Sequence, residues 1–331
     1  MNAPAEISSQ WQRLAQSHAV IGFIDVTLRG CAQVMFQNNP LTGLIFFIAI
    51  FVAAYGEGIP MAAYGCLLGT VVATLTGLGL PDRSSWRAGL YGYNGCLVGV
   101  ALPTFLVMTP LVWVCIVVGS VVSVIATACL ADLLKTWKIA ALTAPFVLTT
   151  WVILLSSYMF AGLHSAGLPA PKLPTAESVV AMQSLLNASV YKTLFHGISQ
   201  IYLFSSVIAG VLFVIGLAVS SLWAAVFAVV GSLLALLTAL ALGANDASIA
   251  SGLYSFSAVL TAIALGSTFN KPSWRVLAYT LIGIIFTVFV QGAMNTLMSP
   301  LGIPTLTMPF VLASWLFLVP NQDVMPPHRQ A

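Results

Sequence analysis

Charge is scarce in this chain. Lysine and arginine together number 11 and aspartate and glutamate 8, so charged residues fill 6% of 331 positions while apolar residues fill 60%. A soluble domain carries about a quarter charged residues, and a mean hydropathy of +1.01 lies far from that class. The composition is that of a polytopic membrane protein. The net charge of +3 is small and scattered along the length, so it gives no argument for nucleic acid as a partner.

Other absences narrow the field. Residues 1–18 are polar, contain Arg13 and lack an apolar core followed by a cleavage site, so no signal peptide is expected. The five cysteines (Cys31, Cys66, Cys96, Cys115, Cys129) are odd in number, confined to the first half and embedded in apolar runs. They read as small buried hydrophobes rather than disulfide partners or metal ligands. His18, His164, His196 and His328 have no ligand-like spacing, and no metal or cofactor is expected. No GxxxxGK follows a strand pattern, and no nucleophile with its base is visible, so the chain does not read as an enzyme.

What is present is said twice. Leu142–Trp151 (LTAPFVLTTW) and Leu306–Trp315 (LTMPFVLASW) agree at seven of ten positions and lie 164 residues apart. Gly89–Leu102 (GLYGYNGCLVGVAL) matches Gly252–Leu265 (GLYSFSAVLTAIAL) at an offset of 163, and Arg29–Gln33 matches His196–Gln200 at 167. Three matches in the same order at a nearly constant offset define two structural repeats. Proline inside a membrane helix removes a backbone donor. Thr-x-Pro in each repeat is therefore either a packing kink or a break that exposes backbone and hydroxyl oxygens.

The apolar runs place the spans. After a polar-flecked stretch at 20–37, carrying Asp25, Arg29 and Gln33, come runs at about 41–55, 60–80, 89–107, 111–134 and 140–162. Asp25 and Arg29, four apart, form a helix-surface pair, and this first stretch reads as a helix entering the membrane only part way. The second half repeats the plan, with a partial stretch at 190–204 and runs at about 207–222, 223–243, 252–269, 275–298 and 304–320. The expected architecture is an all-α polytopic membrane protein of two inverted-topology repeats, each five transmembrane helices plus one partial, re-entrant pore helix. Its segments are 1–18 (polar N-terminal segment), 19–162 (first repeat), 163–189 (extracytoplasmic linker), 190–320 (second repeat) and 321–331 (polar tail). Five spans per repeat is odd, so the second repeat enters from the opposite side. With both termini in the cytoplasm of a plasma membrane, Arg13, Arg83, Arg87, Lys135, Lys138, Lys271, Arg275 and Arg329 lie inside and only Lys172 and Lys192 outside, as the positive-inside rule requires.

Inverted repeats place solute sites near the midplane, at their interface and at broken helices. The doubled polar and aromatic positions are Gln33 with Gln200, Thr143 with Thr307, and Tyr93 with Phe256, while Leu97 and Leu260 follow those aromatics by four residues on the same face. Glutamine carbonyls and threonine hydroxyls accept hydrogen bonds, and aromatic faces sandwich flat molecules. No doubled charged residue falls in a span, although intramembrane carboxylates are the usual mark of ion coupling. A small, planar, uncharged solute rich in N–H groups fits this inventory. Asp25, Glu57, Asp132 and Asp246 read as interfacial or structural, and Asn187-Ala188-Ser189 is a formal glycosylation triplet on the outside.

LRGCAQVMFQNNPLTG, GLYGYNGCLVG and IPTLTMPF, the last with Ile303 where the signature has Leu, resemble the motifs of the urea transporter family from about residue 20 to 320. The resemblance implies passive, channel-like urea transport by a homotrimer of independently conducting subunits in a lipid membrane. It implies Gln33 and Gln200 at the two mouths, Thr143 and Thr307 in the middle, and Phe36, Tyr93 and Phe256 forming flat slots. Leu97 and Leu260 would narrow the centre, with Val34 and Ile201 on the same wall. The second repeat departs from the pattern with Ser205–Gly210 (SSVIAG) and with Leu203 at the place of Phe36, and Ala140 replaces a signature proline. A wider or less aromatic second mouth is expected. Channels for other small amides or ammonia, and ion-coupled transport, are the rival readings.

Overall fold

A computed structural model describes residues 3–174, 190–271 and 273–319. Among them the chain is helical, and an isolated β-bridge pairs Leu106 with Ser165. The first half runs α1 (Ala3–Ser17), α2 (Ala19–Gln33), α3 (Pro40–Gly56), α4 (Pro60–Gly77), α5 (Arg83–Arg87), α6 (Gly92–Phe105), α7 (Pro110–Leu134) and α8 (Ala144–Ser156). The second runs α9 (Val190–Ser199), α10 (Val207–Ser220), α11 (Leu222–Ala241), α12 (Asp246–Ala250), α13 (Phe256–Ile263), α14 (Trp274–Met298) and α15 (Met308–Leu318). The pattern of α2 to α8 recurs as α9 to α15, down to five-residue α5 and α12 and 25-residue α7 and α14.

Local chemistry sets the boundaries. Asn39 and Thr109 cap α3 and α7 with proline in the first turn, while Ser206, Ser221 and Ser273 cap α10, α11 and α14. Each supplies a side-chain oxygen to an otherwise unpaired first-turn N–H. Asp82 caps α5 through Ser84 and Ser85, whose hydroxyls and amides bring its carboxyl down to about 2. The expected Asp25–Arg29 pair forms at 2.6 Å, and Trp11 of α1 donates to the same carboxylate at 2.7 Å.

Among the described residues four helices, Pro60–Gly77, Pro110–Trp137, Leu222–Ala241 and Trp274–Leu301, are long and apolar enough to cross a bilayer alone. The expected runs at 41–55, 140–162, 252–269 and 304–320 hold shorter apolar helices. The partial stretch of the second half, Val190–Tyr202, meets α10 at a bend of 74°. The long α7 buries few of its residues, whereas all of α13 and nearly all of α6 are buried. An apolar helix left uncovered by protein faces lipid, so α6 and α13 form the centre.

Small residues let that centre close. A Cβ on Gly69 of α4 would fall 2.2 Å from the Gly95 carbonyl oxygen of α6, and one on Gly65 2.3 Å from that of Gly99, the close approach that small-xxx-small spacing permits. The halves interlock beside it. Tyr202 stacks on Phe213 at 4.9 Å, Phe46 meets both edge-on, Tyr202 donates to the Cys31 carbonyl at 2.8 Å, and Thr42 of α3 donates to the Gly216 carbonyl of α10 at 2.8 Å. The cysteines are free thiols. Cys31, Cys66 and Cys96 are buried, but Cys115 is half-buried and Cys129 exposed on the lipid-facing α7, which corrects the reading of all five as buried. Asn187–Ser189, Glu177, His328, Arg329 and the tail lie outside the described residues.

Candidate functional site

The doubled threonines meet. Thr143 and Thr307 bring their hydroxyl oxygens to 2.6 Å from opposite halves, at 2% and 3% exposure. The motif that delivers them is a helix start and not a kink. Pro145 and Pro309 sit in the first turns of α8 and α15, where a missing N–H does no harm. Just before each threonine, Leu142 and Leu306 have φ of 52° and 50°. Leucine pays roughly 1–2 kcal/mol in this left-handed region, so the packing around both turns must hold them there.

The packing is reciprocal. Trp151 of α8 donates to the Pro304 carbonyl at 2.9 Å, and Trp315 of α15 donates to the Ala140 carbonyl at 3.0 Å. These are matched positions in the two repeats, so each half's tryptophan clamps the other half's approach to its threonine. Tyr93 is anchored to the same turn, its hydroxyl donating to the Leu142 carbonyl at 2.7 Å. Leu97 and Leu260 are fully buried, one helical turn beyond Tyr93 and Phe256, in the core that holds Leu142, Phe146, Leu306 and Phe310.

The glutamines stand at the ends of the matched helices α2 and α9. Gln33 ends α2 and donates through Nε2 to the Ala88 carbonyl at 2.8 Å, whereas Gln200 follows α9 and donates to Ser205 Oγ at 2.6 Å. Each amide gives one N–H to protein, and neither Oε1 finds a donor among the described residues. Val34 and Ile201, the next residues, are buried against the core at 1% exposure. Two positions further on, Phe36 and Leu203 have φ of 63° and 65°, matched left-handed positions just past the ends of the two helices. Phe36 meets Phe310 edge-on at 6.0 Å and Phe269 at 5.8 Å.

A cavity of about 600 Å³ opens beside Gln200 and Leu203 and reaches Phe256, Thr305 and Leu306. Its rim includes Phe105 at the end of α6 and Lys172 of the connection after α8, whose backbone N–H donates to the Ser299 carbonyl at 3.0 Å. Glu57, between α3 and α4, accepts from the Ser205 N–H at 2.7 Å. Partial burial pushes the Glu57 carboxyl pKa up, with the Ser205 N–H and His196 pulling less strongly the other way.

Two carboxamides of this region are absent from the sequence-derived set. Gln291 of α14 is 2% exposed and donates to Thr305 Oγ1 at 2.8 Å and to Asn295 Oδ1 at 2.9 Å, while its own Oε1 is buried without a partner among the described residues. Asn94 of α6 is 1% exposed and accepts from the Phe146 N–H at 3.3 Å. The counterparts at the repeat offset are Thr127 and Ser257, so a search for doubled amides passes over both. An amide inside an apolar run was the signal that could have found them.

Taken together, the gathered groups are two acceptor carbonyls at the ends of the partial helices, a hydroxyl pair where the halves meet, and aromatic edges between. None of them is charged. A family model described as UT, Urea transporter, matches residues 24–322. The chain is 33% identical over 316 residues to urea transporter 1 of Capra hircus, covering 92% of this chain and 80% of that protein. It is 32% identical over 313 residues to urea transporter 1 of Rattus norvegicus, covering 92% and 79%.

Proposed function

This chain belongs to the urea transporter family, and from that membership we propose that it passes urea down its gradient through a channel formed between its two halves. The observation that carries the reading is the Thr143–Thr307 hydroxyl pair, buried and supplied by matched segments of the two halves. A urea molecule leaving water strands its N–H groups at roughly several kcal/mol unless oxygens replace that water. Gln33 Oε1 and Gln200 Oε1 are the acceptors at the two ends, and the threonine hydroxyls accept in the middle. Phe36, Tyr93 and Phe256 hold the molecule flat, Leu97 and Leu260 narrow the passage, and Val34 and Ile201 back the glutamines.

The same reading makes the halves inverted repeats. Reciprocal Trp151 and Trp315 clamps are what a pseudo-two-fold axis requires. The presence of the end of α6 and the start of α13 on one cavity supports opposite orientations of the two halves. On this arrangement residues 19–162 and 190–320 are the repeats, 163–189 lies outside the cell, and both termini lie in the cytoplasm, as the lysine and arginine distribution favours. Subunits assemble as a homotrimer in the plasma membrane, each conducting alone.

Urea efflux from proteoliposomes of the purified protein tests the function. Fast efflux down the urea gradient, equal with and without imposed proton or sodium gradients, is the expected result. Flux that requires either ion gradient would replace the channel with coupled transport, and absence of urea flux with permeation of acetamide or ammonia would change the solute.

A further inference from the structure

Thr143 stands where a threonine ordinarily caps its own helix. A capping residue takes extended backbone angles and its hydroxyl accepts a first-turn N–H. Thr109 does this at the start of α7, with ψ of 165° and the Val112 N–H on its Oγ1 at 3.4 Å. The capping serines Ser206, Ser221 and Ser273 have ψ of 120°, 113° and 166°. Thr143 instead has ψ of 11° and makes no side-chain cap, because its hydroxyl is turned to Thr307.

The N–H that this hydroxyl abandons is that of Phe146, third in the first turn of α8. Asn94 reaches it from α6: Oδ1 accepts from the Phe146 N–H at 3.3 Å, while Nδ2 donates to Thr127 Oγ1 of α7 at 3.1 Å. Thr127 in turn donates to the Ser123 carbonyl at 2.7 Å. Both ends of the buried amide are thereby used. The second half is built differently. The counterpart of Asn94 is Ser257, whose hydroxyl is buried without a partner among the described residues, and the amide there is Gln291, which holds Thr305.

We propose that Asn94 is a positioning residue of the solute path: it supplies from α6 the cap that Thr143 withholds, and so keeps the Thr143 hydroxyl facing Thr307 and the solute. Without that outside acceptor the buried Phe146 N–H loses its partner, and turning the Thr143 hydroxyl back to it competes with the contact to Thr307. The inference rests on Thr143 belonging to the urea path.

The test is urea efflux from proteoliposomes, normalised to inserted protein, for Asn94→Leu, Thr143→Val, the double variant and Asn94→Asp. Losing one hydrogen-bonding group lowers flux roughly two- to tenfold, and Asn94→Leu is expected to fall as far as Thr143→Val. The double variant falls no further, because both changes remove the same hydroxyl from the path. Asn94→Asp keeps an oxygen for Phe146 and restores flux. Should Asn94→Leu fail to insert, Thr127→Val, which loosens the amide's other end, gives a smaller loss with the same non-additivity. Wild-type flux in Asn94→Leu, or a double variant as low as the product of the two single losses, would overturn the proposal while leaving the channel standing. Wild-type flux in Thr143→Val would remove Thr143 from the path, and the inference with it.

Discussion

The hydroxyl oxygens of Thr143 and Thr307 lie 2.6 Å apart, closing across the interface between two halves whose matched threonines are 164 residues apart in sequence. Each stands at the start of a helix, with nearly the same backbone angles, φ −90° and ψ 11° against φ −89° and ψ 14°. Neither hydroxyl caps its own helix; each is engaged by the other across the interface.

Thr143→Val and Thr307→Val each keep shape and remove one hydroxyl. Either is expected to lower urea flux roughly two- to tenfold. Because the pair is in direct contact, the double variant is expected to depart from the product of the single effects. Stopped-flow efflux on vesicles with matched protein content reads both quantities.

Gln33→Leu and Gln200→Leu remove the acceptors at the ends of the partial helices. The half-saturating urea concentration on the affected side is expected to rise roughly two- to tenfold. Gln200→Leu also releases Ser205 Oγ, whose other contact is to the Ser251 carbonyl at 3.3 Å. Gln33→Leu frees only the Ala88 carbonyl. Efflux as a function of urea concentration in vesicles of each orientation separates the two mouths.

How much of this could be read beforehand follows from what repetition reveals. Composition placed the chain in a membrane, and the doubled segments picked out Thr143 and Thr307, which meet in the structure. The Asp25–Arg29 pair was legible because it is local, four residues apart on one helix. The short helices were not, since an apolar run such as 140–162 reads as one span whether or not its first residues are extended. The left-handed angles at Leu142 and Leu306 had no signal in residue type, because leucine is held there by the clamps of Trp151 and Trp315 from the opposite half. Asn94 and Gln291 were missed for a different reason. Each half solves its bracing with a different amide, so neither repeats.

Gly89 and Gly252, also a matched pair, have φ of 78° and 83°, and each abuts the backbone of a partial helix. A Cβ at Gly252 would lie 2.5 Å from the Gly197 backbone nitrogen, and one at Gly89 2.6 Å from that of Gly30. Backbone cannot step aside as a flexible side chain can, and alanine pays about 1–2 kcal/mol for the positive φ alone. Gly89→Ala and Gly252→Ala are expected to lower the thermal midpoint in detergent by several degrees, more than Gly56→Ala, where a Cβ meets nothing.

Glu57, which accepts from the Ser205 N–H, is expected to give stability a pH dependence. Its folded pKa is raised, chiefly by desolvation, so the folded state binds the proton more readily than the unfolded chain. Stability therefore falls as pH rises from the ordinary glutamate range through the raised value, and the penalty is complete above it. Glu57→Gln keeps an oxygen for the Ser205 N–H and cannot ionise. It is expected to raise the thermal midpoint slightly at neutral pH and to flatten its pH dependence in that window, an effect kept small by the exposure of the side chain.

The most direct test of a channel between two fixed halves is trans-acceleration. Labelled urea leaves proteoliposomes with unlabelled urea either absent from or abundant on the outside. A continuous path needs no return of an empty site, so the account predicts that outside urea does not speed the exit of the label. Clear stimulation of efflux by outside urea would contradict it, because the site would then be alternating between the two sides.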